Sequence, residues 1–264
     1  MTILLANDDG YRSEGIKVLE EVLSSHGHEV WVCAPSSERS ACSHSMTLRT
    51  KITATRYGKN HYHLDGYPSD CVLYSVKGKL FPHEPDLVIA GINHGYNIST
   101  DTIYSGTIGA AEEGVLCGLP SIAISCQKDE EGKFPFHASA EFLSGHLEDF
   151  MSVCSTTAFV SVNVPPHPSG AWSPSTLGYL DYNDVFLANK TEEKQVYEGG
   201  STCFGSSIIL ELKGSKPCME SEGIDTDFRK VEKGIISVSV LSVLPSIDRN
   251  GQEKLICLSE EHHG

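Results

Sequence analysis

The chain has 264 residues, 39% of them hydrophobic, which is enough to bury one substantial core, as one large domain or as one domain with an appendage. A formal net charge of -15 opposes polyanions, so nucleic acid and anionic membrane surfaces are excluded as general partners, and any small phosphate ester must be met by a local cation or by backbone N–H groups. Nine cysteines with no Cys-x-x-Cys pair favour reduced thiols and a cytoplasmic location, and no apolar run reaches the roughly 18 residues that a membrane span needs, so a soluble chain is expected.

Thr2 to Ala6 predicts a buried strand, too short and too quickly followed by Asn7-Asp8-Asp9 to be a signal peptide. Ile16, Leu19, Val22 and Leu23 recur at helical spacing until Gly27, and Glu29 to Ala34 predicts the next strand. Such a strand, helix, strand unit implies a parallel pair with a right-handed crossover. Lys51 to Thr55 and His61 to Asp65 flank Tyr57-Gly58-Lys59-Asn60 and predict a hairpin beside the sheet. Asp86 to Ala90 predicts a strand, Ile108 to Leu116 a helix closed by Gly118, Ser121 to Ser125 a strand, Ala138 to Val153 a helical stretch and Ala158 to Val164 a further strand. The expected fold is α/β, a doubly wound (Rossmann-like), mostly parallel sheet over residues 1–166. Residues 167–264 form a β-rich C-terminal extension, with strand-like runs at Ser207 to Leu212 and Ile235 to Leu241, expected to serve self-association.

In a doubly wound fold the ligand crevice lies beyond the carboxyl ends of the strands, so chemistry is sought directly after each strand. Asn7-Asp8-Asp9-Gly10 sets two adjacent carboxylates on a tight turn, able to direct oxygens at a hard cation such as Mg²⁺ or Mn²⁺; the plainer reading is a turn with helix capping. Ala34 to Ser45 is long for a joint of roughly 2 to 6 residues and is dense in hydroxyls. Gly91-Ile92-Asn93-His94-Gly95-Tyr96-Asn97 offers close backbone approach and side-chain amides. Tyr104-Ser105-Gly106-Thr107 runs into a helix whose first N–H groups would face the crevice. His94 sits where it could act as acid, base or contact, whereas His61 with His63 and His262 with His263 find no partners at metal-ligand spacing.

These segments resemble the SurE family of stationary-phase survival proteins, which are metal-dependent nucleotide phosphatases. The likeness runs through Asn7-Asp8-Asp9-Gly10 with Gly15-Ile16, Ala34-Pro35, Ser40 and His44 to Leu48, then Gly66 to Val72, Gly91 to Asn97, Ile103 to Thr107 with Ala110-Ala111 and Glu113-Gly114, and Asn163-Val164-Pro165. The resemblance implies Asp8, Asp9, Ser40 and Asn93 as ligands of one divalent cation per subunit, and Asn97, Ser105, Gly106 and Thr107 as the holders of the substrate phosphate. It implies hydrolysis of nucleoside 5'-monophosphates, with 3'-monophosphates and short polyphosphate as further substrates, by a homodimer or homotetramer. The chain departs from the family pattern at Ala41, where Gly is usual, and at Ser99-Thr100, where Gly-Asp is usual.

Two routes of hydrolysis fit this residue set: in-line attack by a metal-activated water, or attack by Asp8 itself to give an acyl phosphate. A nucleotide-dependent dehydrogenase fits poorly, because no Gly-x-Gly-x-x-Gly follows the first strand. A Gly-x-x-x-x-Gly-Lys-Ser/Thr loop and an Asp-x-Asp pattern are missing there too. The remaining alternative is a non-catalytic sensor of nucleotide or metal.

Overall fold

The computed structural model describes residues 1–182, 185–190, 194–198, 201–205, 208–213, 217–219, 225–246, 249 and 252–255. The chain clusters into two units, Met1–Leu177 with Asp225–Gly264, and Gly178–Ile224.

The larger unit starts with β1 (Thr2–Ala6), α1 (Glu14–Ser25) and β2 (Glu29–Pro35), then β3 (Ala54–Gly58), β4 (His61–Leu64) and α2 (Pro68–Val76). It continues with β5 (Leu87–His94), a 3₁₀ turn (Ser99–Tyr104), α3 (Gly106–Leu116), β6 (Ser121–Cys126), α4 (Phe136–Gly145), α5 (Leu147–Val153), β7 (Ala158–Val164) and β8 (Trp172–Pro174). After the smaller unit come α6 (Asp227–Glu232) and the last strand, Ile236–Ser242.

Hydrogen bonding orders the sheet as β3-β4-β2-β1-β5-β6-β7, then Ile236–Ser242, then β8. The core from β4 to β7 is parallel, β3 pairs antiparallel to β4, and Ile236–Ser242 runs antiparallel to β7. The short apolar strands follow from burial on both faces. Ile3 and Leu5 pack with Ile16, Leu19 and Leu23 of α1 and with Phe136 and Leu143 of α4, while Leu4 and Ala6 pack with Val72 of α2 and Ile108 and Ala111 of α3. The connection from β1 to β2 crosses one face and that from β4 to β5 the other, so the winding reverses between β1 and β5. There the doubly wound architecture opens its crevice.

The structure differs from the sequence expectation in several places. β5 continues four residues past Ala90 to His94, through an irregularity between Ala90 and Asn93 in its pairing with β6. The first hairpin strand begins and ends later than expected, at Ala54–Gly58, while the second begins at His61 as expected and ends at Leu64, leaving Lys59-Asn60 as the turn. The helical stretch 138–153 breaks at His146 into α4 and α5. The run Ile235 to Leu241, assigned by sequence to the extension, forms a strand of the main sheet, Ile236–Ser242, which covers the free edge of β7 and buries its first four residues.

The smaller unit consists of antiparallel pairs nested in sequence: β9 (Leu180–Tyr182) with β14 (Pro217–Met219), β10 (Val185–Lys190) with β13 (Ile208–Lys213), and β11 (Lys194–Glu198) with β12 (Ser201–Gly205). The strand Ile236–Ser242 is accordingly β15. Of the expected run Ser207 to Leu212, Ser207 lies outside the described residues.

Candidate active site

The turn after β1 is built by Asn7. Its Nδ2 donates to Gly10 O (3.1 Å) and Ser13 Oγ (2.7 Å), and its Oδ1 accepts from Gly10 N–H (3.2 Å), a side-chain mimic of a backbone turn. Gly10 takes φ +93, and a Cβ there would sit 3.3 Å from the backbone of Ser37, so the position requires glycine. The turn leaves Asp8 4% exposed. Its Oδ1 accepts the Thr107 hydroxyl at 2.6 Å, and its main-chain oxygen accepts Arg39 N–H at 2.7 Å. Burial pushes the Asp8 carboxyl up to about 6, against the Thr107 hydrogen bond, which lowers it, and with Asp9, whose charge raises it further.

Asp9 turns to the end of β5. Its Oδ1 lies 2.7 Å from His94 Nδ1 and its Oδ2 accepts His94 N–H at 3.2 Å. The bond to Asp9 raises the imidazole above its ordinary value, while burial opposes it. Next to His94, Asn93 donates from Nδ2 to Gly95 O at 3.0 Å, leaving its amide oxygen unclaimed by the hydrogen bonds of the described residues.

Helix α3 begins at Gly106, two residues before the expected Ile108. Ser105 Oγ accepts Ile108 N–H at 3.1 Å as the N-cap, and the following Gly106 allows contact that no side chain would permit. A Cβ on Gly106 would stand 2.6 Å from Cys42 Sγ and 3.0 Å from Asp8 Cβ. Both the hydroxyl and the backbone N–H of Thr107 hold down the Asp8 carboxyl, so the positive end of the helix points at it. Asn97 is buried: Nδ2 donates to Ser125 Oγ (2.8 Å), while its backbone exchanges hydrogen bonds with the Asn163 side chain (2.8 and 3.1 Å).

Ser40 is placed differently from its neighbours. It is exposed and its hydroxyl donates to Glu38 Oε1 at 2.7 Å, with no hydrogen bond to either aspartate among the described residues. The loop carrying it is nevertheless fastened at three points. Ser43 N–H donates to Tyr104 O (2.9 Å), Thr47 donates through N–H and hydroxyl to Asp70 (3.0 and 2.7 Å), and His44 sits between Glu112 and Glu113 of α3, 2.9 Å from each. The two glutamates raise the His44 imidazole to about 9, so it is a cation at neutral pH.

Sequence reasoning missed several of these supports. Ser99 donates through N–H and hydroxyl to Asp227, 2.6 Å each, fixing the turn between Asn97 and Ser105 from 128 positions away. Ser125 and Asn163, each next to last in its strand, hold Asn97; Asn163 lies in a segment of the family likeness, whereas Ser125 carried no signal beyond its place near the strand's end. Among the described residues no three His, Cys, Asp or Glu side chains group as a metal site. His61 bonds Glu20 (2.7 Å) and His63 stacks on Tyr11 (4.4 Å between centroids), while His262 and His263 lie outside the described residues.

A sheet of this order, with paired carboxylates at its switch point set against the first turn of a helix, defines a doubly wound α/β protein with an acidic site facing a helix N-terminus. Residues 3–182 match the family model described as Survival protein SurE. The chain is 34% identical over 258 residues to a protein named 5'-nucleotidase SurE from Leptospira biflexa, covering 97% of this chain and 99% of that one. It is 42% identical over 252 residues to the protein of that name from Synechococcus elongatus, covering 91% and 93%. A crystal structure of a SurE protein from Aquifex aeolicus superposes with a TM-score of 0.79 at 26% identity, covering 98% of this chain and all of the other. The chain belongs to the SurE family.

Proposed function

We propose that this protein is a divalent-metal-dependent phosphomonoesterase that hydrolyses nucleoside 5'-monophosphates to nucleoside and phosphate, with 3'-monophosphates and short polyphosphate as secondary substrates. The observation that carries the reading is the 2.6 Å hydrogen bond from Thr107 to Asp8, because it joins the carboxylate pair to the start of α3, where a phosphoryl group finds donors. The names of the relatives from Leptospira biflexa and Synechococcus elongatus agree with it.

The donors fit a hard cation. The Asp8 and Asp9 carboxylates, the Asn93 amide oxygen and the Ser40 hydroxyl are all oxygens, suited to Mg²⁺ or Mn²⁺, and a carboxylate as buried as Asp8 gains from a compensating charge. Such a cation, when bound, polarises a phosphoryl oxygen and lowers the pKa of a water. The chain's own residues supply the rest. Thr107 fixes the direction of Asp8, His94 fixes that of Asp9, and Ser105, Gly106, Thr107 and Asn97 hold the phosphoryl oxygens. Asp8 either supports an attacking water or attacks phosphorus itself, and trapping of a phosphoenzyme distinguishes the two.

Residues 167–264, through the nested strands of 178–224, are read as the means of self-association into a homodimer or homotetramer, and the protein as cytoplasmic. No helix among the described residues is long and apolar enough to cross a membrane. The test of function is phosphate release from a panel of nucleotides with Mg²⁺, Mn²⁺ or a chelator. Release that needs the cation is expected, and release from no nucleotide, or release insensitive to chelator, overturns the reading.

A further inference from the structure

Beside Asp9 lies an aromatic surface. Because His94 Nδ1 is committed to Asp9 at 2.7 Å, the plane of the imidazole is set, and Phe134 and Phe136 both stand edge-on to it, with centroids 5.0 and 5.1 Å away and interplanar angles of 69° and 78°. The two phenyl rings lie nearly parallel to each other, 5.1 Å apart at 13°. Their burial differs. Phe136 opens α4, is 4% exposed and belongs to the core, whereas Phe134 is only partly buried.

Phe134 also stands out in its own segment. The chain from Gln127 to Lys133 is polar apart from Gly132, yet it is ordered by a compact turn: Asp129 Oδ1 accepts the N–H groups of Glu131 (3.0 Å) and Lys133 (2.8 Å), and Asp129 N–H donates to Lys133 O (3.0 Å). That turn delivers one phenyl ring, already positioned, to the rim of the crevice. A rim in a chain of net charge -15 suits the uncharged end of a ligand whose phosphate is held elsewhere. A flat heteroaromatic ring is the group that gains most from a pre-set aromatic face.

We propose that Phe134, backed by Phe136 and steadied by His94, is the platform on which the substrate's nucleobase stacks, and that it sets the preference for nucleotides over phosphate esters without a base. The inference rests on the nucleotidase reading and adds a specificity residue to it.

The test compares kcat/KM for adenosine 5'-monophosphate and for ribose 5-phosphate, which keeps the phosphate and sugar but lacks the base, in the parent and in Phe134→Ala, Phe134→Leu and Phe134→Trp. Loss of one base stack is expected to lower kcat/KM for the nucleotide about tenfold in Phe134→Ala, mainly through KM, with a change of less than about twofold for ribose 5-phosphate. Phe134→Trp is expected to keep the nucleotide preference, and Phe134→Leu to fall between. An equal loss for both substrates assigns Phe134 a structural role and overturns the inference, as does an unchanged ratio in Phe134→Ala. A parent protein that releases phosphate from neither compound under any cation overturns the nucleotidase reading, and this inference with it.

Discussion

Thr107 Oγ1 donates to Asp8 Oδ1 at 2.6 Å, joining residues 99 positions apart across the point where the sheet's winding reverses. The bond favours the charged form of Asp8, against the burial that opposes it. Asp8→Asn and Asp9→Asn keep the shape of the site and remove its charge. Each is expected to lower phosphate release by at least about a hundredfold, the loss typical of a preorganised electrostatic group, with unchanged circular dichroism. Near-parental release by either variant, in a phosphate assay with Mn²⁺, removes the metal-site assignment.

The same burial makes stability depend on pH. Asp8 moves from an ordinary 3.8 to about 6, so the fold binds this proton more tightly than the unfolded chain does. Its ionisation therefore destabilises the fold: the effect is absent below 3.8, grows as pH rises to about 6 and is complete at neutral pH. The gap corresponds to about 3 kcal/mol. In chelator, Asp8→Asn is expected to be more stable than the parent at pH 7 and to lose most of the parent's decline over that window, read by urea midpoints. Parallel curves for the two proteins contradict the desolvation argument.

His44 works with the opposite sign. Held by Glu112 and Glu113, it rises from 6.5 to about 9, and the stability this supplies is fully present below 6.5 and lost as pH climbs through 9. With the pair partly open to solvent, about 1–2 kcal/mol is the expected loss in His44→Gln at pH 7, fading toward pH 10. Thermal melts across that range check it, and an equal deficit at both ends points to lost packing instead.

Ala41 and Ser99 both adopt the left-handed backbone, at φ +54 and +51. A Cβ in that region costs on the order of 1 kcal/mol, so Ala41→Gly is expected to raise the melting temperature by a few degrees. Ser99→Gly is expected to give no gain, because it also deletes the 2.6 Å hydroxyl bond to the buried Asp227. A calorimetric scan in which the two behave alike contradicts this assignment.

Much of this was legible in the chain itself. β1 and α1 read clearly because strands buried on both faces are continuously apolar and the helix buries one stripe, and the Asn7 to Gly10 turn announces itself by composition. The extension of β5 to His94 was hidden, since Gly91 and the polar Asn93-His94 pair carry the signature of a turn while the sheet keeps them extended. α2 was missed because its start, Pro68-Ser69-Asp70, looks like a loop until Asp70 is seen accepting Tyr67 N–H at 2.8 Å. Contacts such as Ser99 to Asp227 and His44 to the α3 glutamates depend on long-range pairing, which local periodicity does not encode.

The chain leaves the larger unit and returns to it at adjacent points. Thr176 bridges Thr226, with Thr176 N–H donating to Asp225 O (3.1 Å) and Asp227 N–H to Thr176 O (2.9 Å). During synthesis β7 therefore emerges from the ribosome long before its neighbour β15, and its apolar edge stays open until the intervening stretch has been made. That interval is when a nascent chain of this topology is most exposed to mispairing with its own hairpins or with another copy, and it sets a demand for protection that the finished molecule no longer displays.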